Sequence, residues 1–172
     1  LPDAKTVAVL YCSSESNSAA QYALAKAQIE ALGMTCIEKT ISAIDEAKSA
    51  VESLAGVADA IYVPTDNTIS DSMTSVSAAA NAVKLPLIVG EAGMVVNGAL
   101  ATYGIDYYRL GKQTAEMAVK LLKADKPLDE IAKMAVVYQT DCVYAVNTDT
   151  AAALGITIPE EILSKATIYP SK

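Results

Sequence analysis

Short apolar runs alternate with longer segments of helical spacing along most of the chain. The runs are rich in β-branched residues and predict strands at 6–11, 35–41, 59–64, 85–90, 99–108, 134–139 and 142–147. The helical segments are 18–32, 42 to about 54, 71–83, 109–124, 148–155 and 159–166. Parallel strands need crossover connections, so this alternation predicts an α/β fold: a doubly wound, mostly parallel sheet with helices on both faces.

Polar turns follow three of the predicted strands. They read CSSESNS (12–18), PTDNTIS (64–70) and GEAG (90–93), the last opening a predicted loop, EAGMVVNG. The carboxyl ends of parallel strands meet at one edge of the sheet, and ligands of such sheets bind there. We therefore expect the three turns to converge on one site.

The side chains of these turns match the two charges of a free amino acid. Hydroxyls at a helix start suit its carboxylate, and carboxylates in the later turns suit its ammonium. Asn17 and Asn67 can serve either charge. The hydroxyls belong to Ser13, Ser14 and Ser18, and the carboxylates to Asp66 and Glu91.

Two other interpretations of the turns stay open. The 12–18 turn could hold a phosphate, as in a flavodoxin-like cofactor protein, although Glu15 places a negative charge in that cradle. The later turns also contain no aromatic residue that could stack on a flavin. Alternatively, the turns only cap helices, because Ser, Asp, Asn and Thr are the preferred N-cap residues.

Catalysis is not expected from these residues. The chain contains no histidine, so neither a Ser-His-Asp triad nor a histidine metal site can form. Asp66 and Glu91 could pair as in glycoside hydrolysis, but the chain has no Trp or Phe to form a sugar platform. We predict a protein that is not an enzyme and holds no metal or cofactor.

Composition limits the partners further. A chain of 172 residues with 52% hydrophobic residues is the size of one globular domain. Its net charge is −7 and its basic residues do not cluster, which argues against nucleic acid. No apolar run approaches the roughly 18 residues that a membrane span needs.

Four stretches of the chain resemble one protein family. LPDAKTVAVLYCSSESNS, DAIYVPTDNTI, GALATYGIDYYRLGKQTAEMAVKLL and TAAALGITIPEEILSKA are similar to ABC-transporter substrate-binding proteins of the tryptophan/tyrosine type. Members have two flavodoxin-like lobes of the type I periplasmic binding protein fold, with a cleft between them. The resemblance implies that residues 1–172 form a single lobe, the second one. The first lobe, a signal peptide and any lipid-anchor cysteine would then lie outside this chain.

The resemblance also implies a function. It indicates an extracytoplasmic receptor, a periplasmic protein or cell-surface lipoprotein, that hands a small solute to the permease of an ABC importer. An amino-acid-like ligand, preferably aromatic, would bind in the cleft between the lobes. The implied cleft residues are Ser13, Ser14, Asn17, Thr65, Asp66, Asn67 and Glu91, with Asp106 close by.

The helix after ATYGIDYY packs on the first lobe in this family. In the present chain its apolar stripe is expected to fold back on the sheet or to form a homodimer. Tyr107 and Tyr108, just before the helix, are expected to serve ordinary packing. The stripe consists of Leu110, Ala115, Ala118, Val119 and Leu122.

Overall fold

The sheet has seven strands in the order β2-β1-β3-β4-β5-β6-β7 in the computed structural model, which describes residues 1–170. Every neighbouring pair is parallel except β5–β6. This arrangement confirms the predicted α/β fold. The strands are β1 Thr6–Cys12, β2 Thr35–Ile41, β3 Ala60–Val63, β4 Leu87–Val89, β5 Ala101–Gly104, β6 Val143–Asn147 and β7 Ala166–Tyr169.

Helices connect the parallel strands, as the alternating pattern predicts. A short 3-10 turn, Ile44–Glu46, precedes the second α-helix. The α-helices are α1 Ser16–Ala31, α2 Ala47–Glu52, α3 Asn67–Ser70, α4 Met73–Ala82, α5 Ala92–Val96, α6 Tyr107–Leu122, α7 Pro127–Ile131, α8 Thr148–Leu154 and α9 Glu160–Leu163.

Strand β1 contributes side chains to both faces of the sheet, because successive residues of a strand point to opposite sides. Ala8 and Leu10 pack in the larger core, which also contains side chains of α2, α4 and α5. Val9 and Tyr11 pack in a smaller core on the other face, with Ile29 of α1. Helices therefore cover both faces, and the carboxyl ends of β1, β3 and β4 remain at one edge.

The predicted strand 99–108 is too long. Strand β5 covers Ala101–Gly104, and α6 already begins at Tyr107. The change of structure occurs at Asp106, whose Oδ1 accepts the backbone N–H groups of Tyr108 and Arg109 at 3.0 and 3.1 Å. A side chain that caps a helix in this way ends the preceding extended segment.

The predicted strand 134–139 is wrong. That segment forms neither strand nor helix, and Val136, Val137 and Tyr138 are exposed. The last predicted helix, 159–166, is also too long, because α9 ends at Leu163 and Ala166 begins β7. β7 is a strand that the sequence pattern did not predict, and it pairs in parallel with β6.

Two turns contain more structure than predicted. EAGMVVNG, expected to be a loop, contains α5, and the 64–70 turn contains α3. The helix predicted from 42 to about 54 is shorter, because α2 covers only Ala47–Glu52. Ser42 lies before it, and its N–H and hydroxyl donate to the Glu46 carboxylate at 2.9 and 2.8 Å.

Helix α6 does not fold back on the sheet, so that expectation is wrong. None of its residues is buried; it lies against α7, and Gln113 donates to the Val137 carbonyl at 3.4 Å in the segment after α7. Val119 and Leu122 remain exposed. The comparisons below give the homodimer no support. Excursion 105–142, the name used here for the segment between β5 and β6, therefore leaves an apolar surface uncovered.

Candidate functional site

The turns after β1, β3 and β4 meet at one edge of the sheet, as predicted, and the end of β5 lies beside them. Two glycines allow the backbones to approach closely. A Cβ at Gly90 would lie 2.6 Å from the backbone nitrogen of Thr65, and one at Gly104 would lie 2.6 Å from the carbonyl oxygen of Gly90. Real Cβ atoms do not approach other atoms so closely, so the turns are packed side by side.

A cavity of about 200 Å³ opens between these turns and is called the edge cavity. Ligand pockets are commonly about 300–1,000 Å³, so the edge cavity is the size of one side of a cleft. Its lining residues are Thr65, Asp66, Asn67, Ser70, Glu91, Met94 and Tyr107.

Asp66 holds the β1 and β3 turns together. Its side chain is only 1% exposed. Oδ2 accepts the backbone N–H of Cys12 at 2.8 Å, and Oδ1 accepts that of Ile69 at 2.9 Å. The carboxylate is thus both the N-cap of α3 and a link to β1. A carboxylate has about four acceptor positions, so these bonds leave capacity for a ligand donor.

Glu91 and Asp106 are N-caps as well. The Glu91 carboxylate accepts the N–H groups of Gly93 and Met94 at 2.6 and 2.8 Å. Asp106 caps α6 and also lies 3.3 Å from Nε of Arg109. Glu91 lines the edge cavity, whereas Asp106 does not line it and directly precedes the lining residue Tyr107. Asp66, Glu91 and Asp106 are therefore all N-caps, and Asp66 and Glu91 also line the edge cavity.

Glu15 is an acid of these turns that the sequence did not indicate as a site residue. It lies half-buried in the β1–α1 turn, and its Oε1 accepts the N–H and hydroxyl of Thr68 at 2.7 and 2.8 Å. Burial would raise the pKa of Glu15, but these bonds and those from Asn67 and Asn17 outweigh it and lower the pKa to about 2. The carboxylate is therefore ionised at neutral pH. It joins the first polar turn to the second.

Helix α1 fixes the position of Thr65. Gln21 donates from Nε2 to the Thr65 hydroxyl at 2.5 Å and accepts the Thr65 N–H at 3.1 Å. Asn17 donates to the Thr65 carbonyl at 2.9 Å. Gln21 was also missed, because a glutamine on a helix has no sequence signal that distinguishes it from a solvated one.

The serines of the first turn lie apart from the edge cavity. The Ser13 hydroxyl donates to the Ile41 carbonyl at 3.2 Å, and the Ser14 hydroxyl is 3.1 Å from Sγ of Cys12. Neither lines the edge cavity. Ser18 is fully buried, so its hydroxyl does not lie on the surface of the turn, where it was expected.

Tyr107 brings an aromatic ring to the edge cavity, together with the thioether of Met94. It is 55% exposed. Burial of part of the ring and the nearby negative charge of Glu91 raise the pKa of its hydroxyl. Ordinary packing was expected for this residue, and its position among the polar lining residues is a further feature that the sequence did not indicate.

A larger cavity, of about 550 Å³, lies on the sheet face beside α1. Its lining is almost entirely apolar and includes Val7, Ile61 and Ile88. It has no converging charged groups, so it does not suit a zwitterion.

Within residues 1–170, no helix has both the length and the apolar character that a membrane span requires. The same residues contain no group of three or more His, Cys, Asp or Glu that could hold a metal ion.

Comparison with known proteins identifies related chains. The family model described as ABC transporter substrate binding protein matches residues 1–169. A curated relative, the tyrosine-binding protein of Clostridioides difficile (strain R20291), is 36% identical over 156 residues. The match covers 88% of this chain and 45% of the relative. The chain thus spans about half the length of that relative.

Two solved structures share the fold at substantial identity. The ABC domain in complex with L-Trp from Streptococcus pneumoniae is 36% identical with a TM-score of 0.84, over 98% of this chain and 57% of that one. The ligand-free, open structure of a substrate-binding protein with adhesive properties from Clostridium difficile is 38% identical with a TM-score of 0.79. That match covers 99% of this chain and 56% of the other.

Proposed function

Because the chain belongs to the ABC transporter substrate-binding protein family, we propose that it forms one lobe of an extracytoplasmic receptor that binds an aromatic amino acid. The edge cavity is one side of the ligand cleft. The ligand is then passed to the permease of an ABC importer. The relatives named for tyrosine and for bound L-Trp support an aromatic ligand.

The observation that carries this proposal is the combination of groups around the edge cavity. Asp66 and Glu91 supply negative charge for an ammonium, and Tyr107 supplies an aromatic surface for a ring. Thr65 and Ser70 add hydroxyls. A pocket with apolar surface and a few converging polar groups is typical of a small-molecule site. No catalytic group is required for this role.

A second lobe would cover the open side of the edge cavity and the exposed apolar side chains between β5 and β6. The edge cavity is only one side of a cleft, and the apolar side chains of excursion 105–142 are exposed. We propose that this excursion packs on the other lobe. Hydrogen exchange should then be slow for α6 in the full-length protein and fast in residues 1–172 alone. Equal exchange rates in both would contradict the proposal.

The flavodoxin-like alternative is not favoured. A phosphate loop presents free backbone N–H groups to the ligand. In the 12–18 turn the N–H groups of Cys12, Ser13 and Glu15 already donate to Asp66, Ile41 and Cys12. The ionised Glu15 carboxylate adds a negative charge to the same turn. A phosphate would have to displace these bonds and approach a negative charge.

Calorimetric titration of the full-length protein with tryptophan, tyrosine and phenylalanine tests the proposal, followed by the other amino acids. We expect micromolar or tighter binding of at least one aromatic amino acid. Binding of a non-aromatic amino acid alone would contradict the aromatic ligand. The absence of heat with every amino acid would overturn the amino-acid proposal.

A further inference from the structure

The Glu15 carboxylate contacts the side chain of a cavity residue. Nδ2 of Asn67 donates to Oε2 of Glu15 at 3.1 Å. Since an ionised carboxylate can only accept, the amide group that faces it must be the NH₂ and not the carbonyl. The orientation of the Asn67 amide therefore follows from chemistry.

This contact leaves the carbonyl oxygen of Asn67 as the acceptor on the side away from Glu15. Asn67 lines the edge cavity, and within residues 1–170 its Oδ1 accepts no hydrogen bond. The contact with Glu15 is also the only hydrogen bond that the side-chain amide donates within those residues. Glu15 alone therefore determines which end of this amide faces the cavity.

Two acceptors, Glu15 and the Thr65 carbonyl, hold the NH₂ group of the Asn17 amide. Its Nδ2 donates to the Thr65 carbonyl at 2.9 Å and to Oε2 of Glu15 at 3.4 Å. The Thr65 carbonyl would keep Asn17 in place without Glu15. The two asparagines thus differ in how much they depend on this carboxylate.

Building on the proposed amino-acid function, we infer that Glu15 is a positioning residue for ligand selectivity. It turns the Asn67 amide so that Oδ1 faces the edge cavity and accepts a proton of the ligand ammonium. Glu15 itself need not contact the ligand. The selectivity it produces is for a ligand with an ammonium over the same molecule without one.

Replacing Glu15 by Gln tests this inference with a nearly isosteric change. The introduced amide has a single oxygen, and the bonds from Thr68, at 2.7 and 2.8 Å, are shorter than those from Asn67, at 3.0 and 3.1 Å. We therefore expect the oxygen to stay on Thr68 and the NH₂ to face Asn67, whose backbone N–H loses its acceptor. The Asn67 amide then turns its carbonyl toward that NH₂ and its own NH₂ toward the cavity. A donor would face the ammonium.

The measurement is the affinity of the full-length protein for an aromatic amino acid and for its desamino analogue, the corresponding propionic acid. Glu15→Gln should weaken binding of the amino acid about tenfold and change that of the desamino acid less than about twofold. Glu46→Gln is the matched control. Glu46 is another carboxylate that accepts from a backbone N–H and a hydroxyl, here of Ser42, and it does not line the edge cavity.

A purely structural role of Glu15 would weaken both ligands equally, and that result would overturn the inference, as would no change in either. Adding Asn67→Asp to Glu15→Gln gives a rescue test. The new carboxylate accepts from the introduced amide and keeps an acceptor toward the cavity. Preference for the amino acid over the desamino acid should return.

A readout without ligand separates this inference from the proposed function. In NMR spectra of the ligand-free protein, Glu15→Gln should shift the side-chain amide signals of Asn67, whereas Glu46→Gln should not. Unshifted Asn67 signals would overturn the inference even if amino acids bind. Shifted signals in a protein that binds no amino acid would overturn the proposed function and leave the contact between Glu15 and the Asn67 amide established.

Discussion

The carboxylate of Asp66 accepts the backbone N–H of Cys12 at 2.8 Å, although 54 residues separate the two in the chain. The bond joins the end of β1 to the turn after β3. The other carboxylate oxygen caps α3 through the N–H of Ile69. One buried side chain therefore supports both the fold and the lining of the edge cavity.

Asp66→Ala should reduce both stability and affinity. Loss of the carboxylate leaves two buried N–H donors without partners, which should lower the free energy of unfolding by roughly 2–4 kcal/mol. Ligand affinity in the full-length protein should fall at least about tenfold, because the ammonium loses a negative charge nearby. Urea denaturation and calorimetry measure the two effects.

Asp71→Ala is the matched control for Asp66. Asp71 lies one residue after α3, is exposed, and accepts no side-chain hydrogen bond among the described contacts. Its replacement should change stability by less than about 0.5 kcal/mol. If the two variants were equally stable, Asp66 would not have the clamping role assigned to it.

The lowered pKa of Glu15 predicts how the free energy of unfolding depends on pH. Its pKa is lowered from 4.5 to about 2 in the folded protein, so the folded state favours the ionised form. The stability contributed by Glu15 is fully present above pH 4.5 and is lost as the pH falls toward 2. The groups that lower the pKa are Thr68, Asn67 and Asn17, none of which titrates.

Denaturation of the native protein and Glu15→Gln between pH 6 and pH 2.5 measures this contribution. The native protein should be more stable at pH 6, and the difference should shrink below pH 4.5. A difference that stays constant down to pH 2.5 would mean that Glu15 titrates normally in the folded state.

Local patterns were sufficient to predict most of the sheet and the edge where the turns meet. The apolar run TVAVLY and the alternating, β-branched segment TCIEKTI correspond to β1 and β2. Asp66 and Glu91, the acids that follow β3 and β4, are N-caps whose side chains also line the edge cavity. Capping and ligand contact use the same residue types, so sequence alone could not separate them.

Long-range pairing is what the sequence could not provide. MAVVYQ has the composition of a strand, but a strand forms only where it has a neighbour, and in residues 1–170 this segment has none. The sequence indicated only a negative charge at Glu15, because its partners Asn67 and Thr68 are more than 50 residues away. Tyr107 was misjudged because the boundary between β5 and α6 was placed too late.

Tyr107 and Tyr108 form a matched pair for testing the aromatic contact. Tyr107 lines the edge cavity, whereas Tyr108 does not and is 82% exposed. Tyr107→Ala should weaken binding of an aromatic amino acid about tenfold, through loss of a ring contact worth roughly 0.5–1.5 kcal/mol plus the apolar area it covers. Tyr108→Ala should weaken binding less than Tyr107→Ala, because Tyr108 does not line the edge cavity.

Tyr107→Phe separates the ring from the hydroxyl. Calorimetry on the full-length protein should give this variant nearly native affinity if the ring makes the contact. A loss as large as that of Tyr107→Ala would assign the contact to the hydroxyl instead. Equal effects of Tyr107→Ala and Tyr108→Ala would remove Tyr107 from the site.

Gly90 tests whether the close packing of the turns matters for binding. A Cβ at this position would lie 2.6 Å from the backbone nitrogen of Thr65 and 2.9 Å from the carbonyl carbon of Pro64. Since backbone atoms cannot rotate away, Gly90→Ala must displace the 64–66 turn. We expect the free energy of unfolding to fall by roughly 1–3 kcal/mol. Affinity should fall with it, because Thr65 and Glu91 line the cavity on either side of the displaced contact.

Gly111→Ala is the opposite case and provides the control. Gly111 lies inside α6, and a Cβ there would meet no atom within 4 Å. Alanine is the better helix former, so in residues 1–172 alone this variant should gain about 0.5–1 kcal/mol of stability. Denaturation of both variants of residues 1–172 compares the same chemical change at a crowded and an open position. If Gly90→Ala matched Gly111→Ala in stability, the 64–66 turn would not be packed tightly against Gly90.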